Sequence, residues 1–143
     1  MNDDELRQAM ATLELFRAQL DALVRQSQFL QLSLEETVKA HETIKAFASA
    51  KKGDEILVPC GASSFVRAIV TENPNVVVGI GTKMSVDLKM DEAVEYMSKG
   101  SQEITEALKN LTNTIEETNA KAQALSIAIQ NEYQVRRSQQ PQQ

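Results

Sequence analysis

The sequence predicts a mainly α chain, a long antiparallel coiled-coil hairpin interrupted by two central β-hairpins. Three observations carry that prediction. Apolar residues repeat with a heptad period near the start of the chain, they do so again near its end, and the period changes to two between them. The chain therefore reads almost as a mirror image about Ile69. In the first stripe, nine of the twelve seam positions from Leu6 to Ile44 are apolar, the exceptions being Ser27, Thr37 and His41. In the second, nine of twelve from Val94 to Glu132 are apolar, with Ser101, Thr118 and Glu132 as exceptions. Pairing Leu6 with the region of Glu132, and Ile44 with that of Val94, keeps both stripes in register.

The first helix is expected over 3–53. Asp3 and Asp4 place carboxylates at its positive end, and Lys51, Lys52 and Gly53 supply cations and a C-terminal cap. At 1.5 Å per residue such a helix is roughly 70 Å long. The second is expected over 91–137, opening on Asp91 and Glu92, with Gly100 an interior flaw of about 1 kcal/mol relative to Ala. The polar stretch 138–143 is expected to be a disordered tail. One domain of 143 residues accommodates all four parts.

Between 54 and 90 four short strands are expected. Glu55 to Pro59 is the first, stopped by the proline at an edge. Residues 60–63 turn the chain into a second strand over 64–71, and 72–75 form the next turn. The third and fourth strands, 75–80 and 84–88, flank Gly81, Thr82 and Lys83. A lone two-stranded ribbon is marginal in water, so the apolar strand residues Ile56, Val58, Phe65, Val66, Ile69, Val76, Val77, Val78 and Ile80 are the expected assembly surface.

No catalytic constellation is legible. Gly79 to Lys83 lacks the spacing of a phosphate loop and no helix follows it, so a hairpin turn is the better reading. His41, without a second ligand nearby, suits a polar seam position setting register. Cys60 is expected to be a small buried or half-buried residue, and no cysteine–histidine cluster suggests a metal. No cofactor is expected. The net charge of −5 contains no basic segment: residues 1–53 carry seven Lys/Arg against eight Asp/Glu, 54–90 three against four, and 91–143 five against eight. That argues against nucleic acid. No apolar run approaches the roughly 20 residues of a membrane span, and the opening Met1-Asn2-Asp3-Asp4-Glu5 does not suit a secretory signal. A soluble, cytoplasmic protein is expected.

Several apolar residues fall outside the seams. Leu15, Phe29 and Leu32 occupy outer positions of the first helix, and Met10, Val24 and Val38 broaden its stripe on one side. Ile127 lies on the outer face of the second helix, with Tyr133 and Val135 near its last turn. Antiparallel pairing gathers Met10, Leu15, Ile127, Tyr133 and Val135 at one end. Simple end-packing explains them as well as capture of apolar segments does.

The runs EILVPCGASSFVRA at 55–68 and NVVVGIG at 75–81 resemble the central segment of alpha-type subunits of archaeal prefoldins, and the order helix, two hairpins, helix is similar along essentially the whole chain. Cys60 departs from the aliphatic residue of that pattern, which bears on packing. The resemblance implies a heterohexamer of two alpha-type and four beta-type subunits, whose hairpins assemble into an oligomeric β-barrel. It also implies an ATP-independent holdase that binds nonnative proteins at its coiled-coil ends and delivers them to a group II chaperonin. Carried onto this chain, client contact falls around Leu6, Met10, Leu13 and Leu15, and around Ile127, Ile129 and Tyr133. The alternative is a structural coiled-coil adaptor or scaffold subunit with one defined partner.

Overall fold

A computed structural model describes residues 1–72 and 75–141. Six elements follow in order: α1 (Asp3–Ser49), β1 (Glu55–Gly61), β2 (Ser64–Ile69), β3 (Asn75–Gly81), β4 (Met84–Lys89) and α2 (Met90–Gln139). The fold is mainly helical with two antiparallel hairpins, as the change of period implies. All twelve seam positions of each helix are buried or half-buried, while Leu15, Phe29, Leu32, Ile127, Tyr133 and Val135 are exposed.

The chain divides into two compact units. The first comprises Met1–Gln31 with Glu106–Gln143, and the second Leu32–Thr105. In the first unit the start of α1 lies against the end of α2. Leu6, Leu13, Ala122 and Ile129 form its buried cluster, flanked by Ala9, Phe16, Leu20 and Leu125. In the second, Ile44 from α1, Val78 from β3 and Ala93 from α2 form another, joined by Val76, Leu88, Met90, Val94 and Met97. Ala93 is fully buried, so no larger side chain fits there without displacement.

Local chemistry sets the helix ends, and it corrects several expectations. Helix α1 begins at Asp3 with Asp3 and Asp4 in its first turn, as expected, and Asn2 caps it. The Asn2 side-chain oxygen accepts from the Glu5 amide (2.8 Å), while the Glu5 carboxylate accepts from the Asn2 amide (2.9 Å). This reciprocal box satisfies two otherwise orphaned donors. At its other end α1 stops at Ser49, so Lys51, Lys52 and Gly53 lie beyond the helix. Gly53 instead adopts φ +90° in a turn closed by the Asp54 amide on the Lys51 carbonyl (3.0 Å), a position that requires positive φ. Helix α2 follows β4 without a break and reaches Gln139, so Ser138 and Gln139 are helical rather than part of a disordered tail. Residues 142 and 143 of that expected tail lie outside the described residues, as do 73 and 74 of the expected turn at 72–75.

Each hairpin is a separate two-stranded sheet. In the first, Ile56 faces Ala68, Val58 faces Val66 and Pro59 faces Phe65, with a register shift between Pro59 and Gly61. Pro59 therefore lies inside β1 and does not end it. A proline is tolerated there because both strands of a two-stranded ribbon are edges and a bulge follows at once. Ala62 and Ser63 turn the chain with φ of +49° and +57°, the left-handed pair of a two-residue hairpin turn. In the second hairpin Val76 faces Leu88 and Val78 faces Val86, again with a shift, between Gly79 and Gly81. Gly79 to Lys83 is thus hairpin, and strand β4 follows it.

Three hydroxyl residues of the seams are satisfied within their own helices. Thr37 donates to the Ser33 carbonyl, Ser101 to that of Ser98 and Thr118 to that of Thr114, each at 2.8 Å. Among the described residues, no buried side-chain nitrogen or oxygen lacks a partner. Such back-bonding allows a hydroxyl in an apolar seam at small cost.

Candidate binding and assembly surfaces

In the first unit the seven residues expected at the client-contact end separate into two groups. Leu6, Leu13 and Ile129 are seam residues, each under a tenth exposed, and they pack on one another's cluster. A side chain buried in the helix–helix seam cannot also touch a client while the seam is closed. Met10, Leu15, Ile127 and Tyr133 are between 44% and 57% exposed. Two of these meet, the Tyr133 hydroxyl donating to the Met10 sulfur at 3.4 Å. Of the exposed group, Leu15 and Ile127 fall on outer-face positions and Met10 and Tyr133 beside the seam; the seam periodicity already assigned the buried three to the core.

Beside them lies an ionic cluster that sequence reasoning missed. The Arg136 guanidinium donates to Asp3 Oδ1 (2.6 Å), to Glu132 Oε1 (3.0 Å) and to the Met1 carbonyl (3.0 Å). The Met1 amino group lies 3.4 Å from the other Glu132 oxygen. The hydrogen bond from Arg136 holds the carboxyls of both Asp3 and Glu132 below the usual carboxylate range, and those two carboxylates in turn raise Arg136. Glu132 looked like a defect in the second stripe because its partner is one turn along the same helix.

In the second unit, the expected assembly residues differ sharply between the hairpins. Val78 is buried at 3% exposure, and Val76 is half-buried beside it, both within the cluster of Ile44 and Ala93. These two residues hold the hairpin on its own helices. Val77 and Ile80 are exposed. The first hairpin is apolar on both faces. One carries Ile56, Val58 and Val66, and the other Leu57, Phe65 and Ile69. Phe65, Val66 and Ile69 are all more than half exposed. The polar contribution to the second face is the pair of Glu55 and Arg67, 3.2 Å apart and itself exposed.

Cys60 is exposed, contrary to expectation, with its sulfur 3.0 Å from the Ser64 hydroxyl. The bulge after Pro59 places it at the end of the ribbon, outside the cluster of Ile44, Val78 and Ala93. His41 is half-buried on the seam. Among the described residues no group of three or more His, Cys, Asp or Glu is placed to hold a metal, and no helix is long and apolar enough to cross a membrane.

Two long helices joined through two β-hairpins, with a heptad seam on each, match a known family. A family model described as prefoldin subunit matches residues 16–135. The chain belongs to the prefoldin family. Among its relatives, the prefoldin subunit alpha of Pyrococcus horikoshii is 28% identical over 117 residues, covering 81% of this chain and 79% of that one. The corresponding subunit of Methanothrix thermoacetophila is 30% identical over 109 residues, covering 76% and 71%. That of Methanopyrus kandleri is 40% identical over 78 residues, 54% of this chain but only half of that relative. The crystal structure of the prefoldin beta subunit from Thermococcus strain KS-1 superposes with a TM-score of 0.57 over 89% of this chain and 90% of that one, at 19% identity, a likeness of fold alone. Prefoldins are a chaperone family, and the three relatives compared by sequence are alpha subunits.

Proposed function

We propose that this chain is an alpha-type subunit of an ATP-independent holdase, built from two alpha-type and four beta-type subunits. It binds nonnative proteins through exposed apolar side chains at the end of its first unit and passes them to a group II chaperonin in the cytoplasm. The observation that carries this reading is the division of apolar surface into two exposed sets, one on the helix ends and one on the hairpins.

The hairpin set serves assembly. Two-stranded ribbons with unpaired edges and apolar residues on both faces gain stability by joining further strands. Phe65, Val66, Ile69, Val77 and Ile80 are the residues available for that contact, with Ile56 and Val58 completing the first ribbon's other face. Closing such ribbons into a β-barrel leaves no edge exposed.

The helix-end set serves client contact. Met10, Leu15, Ile127 and Tyr133 present a thioether, two branched aliphatics and an amphipathic ring. Such side chains accommodate varied apolar segments without a fixed shape. Each contact is weak, at roughly 25 cal/mol per Å² buried. Several such ends on one particle raise the effective concentration and hold a client without a tight single site. Release then needs no nucleotide, since every contact exchanges independently.

Co-expression with a beta-type subunit, followed by measurement of particle mass and of aggregation suppression without ATP, tests this reading. A hexamer of two alpha-type and four beta-type chains that suppresses aggregation of unrelated clients is the expected result. An adaptor would form a defined complex with one partner and leave client aggregation unchanged.

A further inference from the structure

Arg136 bonds the start of α1 and the end of α2 simultaneously, through Asp3 and the Met1 carbonyl on one side and Glu132 on the other. Asp3 lies one helical turn before Leu6, and Glu132 one turn after Ile129, the outermost buried pair of the first unit's core. The ionic cluster therefore closes the seam immediately outside its last apolar layer. Past Ile129 the seam positions of α2 are Glu132, Arg136 and Gln139, so among the described residues the apolar layers between the two helices stop there. The groups facing the guanidinium are Asp3 and Met1 from α1 and its approach, and Glu132 from α2. Arg7 stands near Asp3 from one turn further along α1.

We propose that Arg136 is an ionic latch which keeps Leu6 and Ile129 covered, so that its opening enlarges the apolar surface available to a client. The inference rests on the client-contact role argued above. Closed, the end offers Met10, Leu15, Ile127 and Tyr133. Open, it adds the seam residues Leu6 and Ile129. Exposed ion pairs are weak and screened by salt. Terminal helical turns open locally far more easily than the whole molecule unfolds. A latch of this kind thus works near balance, and ionic strength shifts it.

The test uses the full chain assembled with its partner subunits, carrying Arg136→Gln or, separately, Asp3→Asn, which keeps the arginine stem in place. Amide exchange and aggregation suppression without nucleotide are read together. Exchange over residues 3–13 and 122–136 should accelerate about two- to fivefold in either variant, the range expected for a surface ion pair. Exchange over 32–49 and 90–105 should not change. Client capacity should rise with it, and added salt should reproduce both effects in the unsubstituted protein while adding little in the variants. Unchanged exchange overturns the latch. Faster exchange with equal or reduced capacity overturns the gating of client contact. Serine at Met10, Leu15, Ile127 and Tyr133 together tests the underlying role separately: full capacity in that variant sinks the client-contact reading, whatever Arg136→Gln does to exchange.

Discussion

The Tyr133 hydroxyl donates to the Met10 sulfur across 3.4 Å, joining the last turns of α2 to the third turn of α1. Both residues flank the seam and remain about half exposed. A thioether is a weak acceptor, so the ring's placement depends more on packing than on this bond. Tyr133→Phe should therefore shift the thermal midpoint by less than the equivalent of about 0.5 kcal/mol and leave client capacity intact. Tyr133→Ser should keep the fold but lower capacity. Thermal melts with a parallel light-scattering assay distinguish the two; equal loss in both would assign the hydroxyl a role that the geometry does not support.

Gly100 faces Thr37, and a Cβ added to it would meet the Thr37 methyl at 3.7 Å, an ordinary contact. Neither close approach nor a left-handed backbone demands glycine there. Gly100→Ala should stabilise the chain by about 0.5–1 kcal/mol through helix propensity and a less flexible unfolded state. Denaturant melts would show a raised midpoint with unchanged slope. A lowered midpoint would mean that α2 needs a bend at this position.

The first hairpin turn places Ala62 and Ser63 in the left-handed region, where residues with a Cβ are strained. Asn followed by Gly suits two successive positive φ angles. The double change Ala62→Asn, Ser63→Gly should raise stability by about 1 kcal/mol. Neither turn residue belongs to the cluster of Ile44, Val78 and Ala93, so particle size should not change. Chemical denaturation and mass measurement together check it.

Strand substitutions should separate subunit folding from assembly. Val78 is packed against Ile44 and Ala93, so Val78→Asp leaves a charge in that cluster and should disrupt the second unit itself. Val66 and Val77 are exposed on the isolated chain, so Val66→Asp or Val77→Asp should preserve helix content while breaking the oligomer. Circular dichroism and light scattering read these outcomes. A normal particle with Val66→Asp and Val77→Asp combined would remove the hairpins from the interface.

Acid should loosen the end of the first unit. Asp3 and Glu132 have folded pKa values lowered by Arg136, so their contribution is complete above their unfolded values near 4. It is lost as pH falls through the lower folded values. From pH 6 to 8 these groups should contribute no pH dependence, and below about pH 4 exchange over 3–13 should quicken. Arg136→Gln should blunt that acid response; an equal response in the variant would place its cause elsewhere.

The architecture was legible because it rests on periodicity. A seam repeats, so three polar substitutions in twelve leave the signal intact, and a switch from period seven to two marks the hairpins. Features resting on single contacts were less visible. Asn2 and Glu5 have the spacing of a capping box, yet the acidic residues between them drew attention to Asp3 and Asp4. Pro59 read as a stop because the bulge that accommodates it depends on the facing strand. Cys60 read as buried for the same reason, since the bulge decides where the strand ends. The Arg136 cluster joins residues 133 positions apart, a separation at which no local pattern helps. The contact residues illustrate both cases: heptad position separated the exposed Met10, Leu15, Ile127 and Tyr133 from the buried Leu6, Leu13 and Ile129, but the resemblance that gathered them marked only their neighbourhood.

The most direct measurement is aggregation suppression, without nucleotide, by the assembled complex carrying Met10→Ser, Leu15→Ser, Ile127→Ser and Tyr133→Ser in this subunit. None of these four belongs to a buried cluster, so particle mass should match that of the unsubstituted complex. Suppression per particle should fall clearly at equal mass. Full suppression at equal mass would contradict the account.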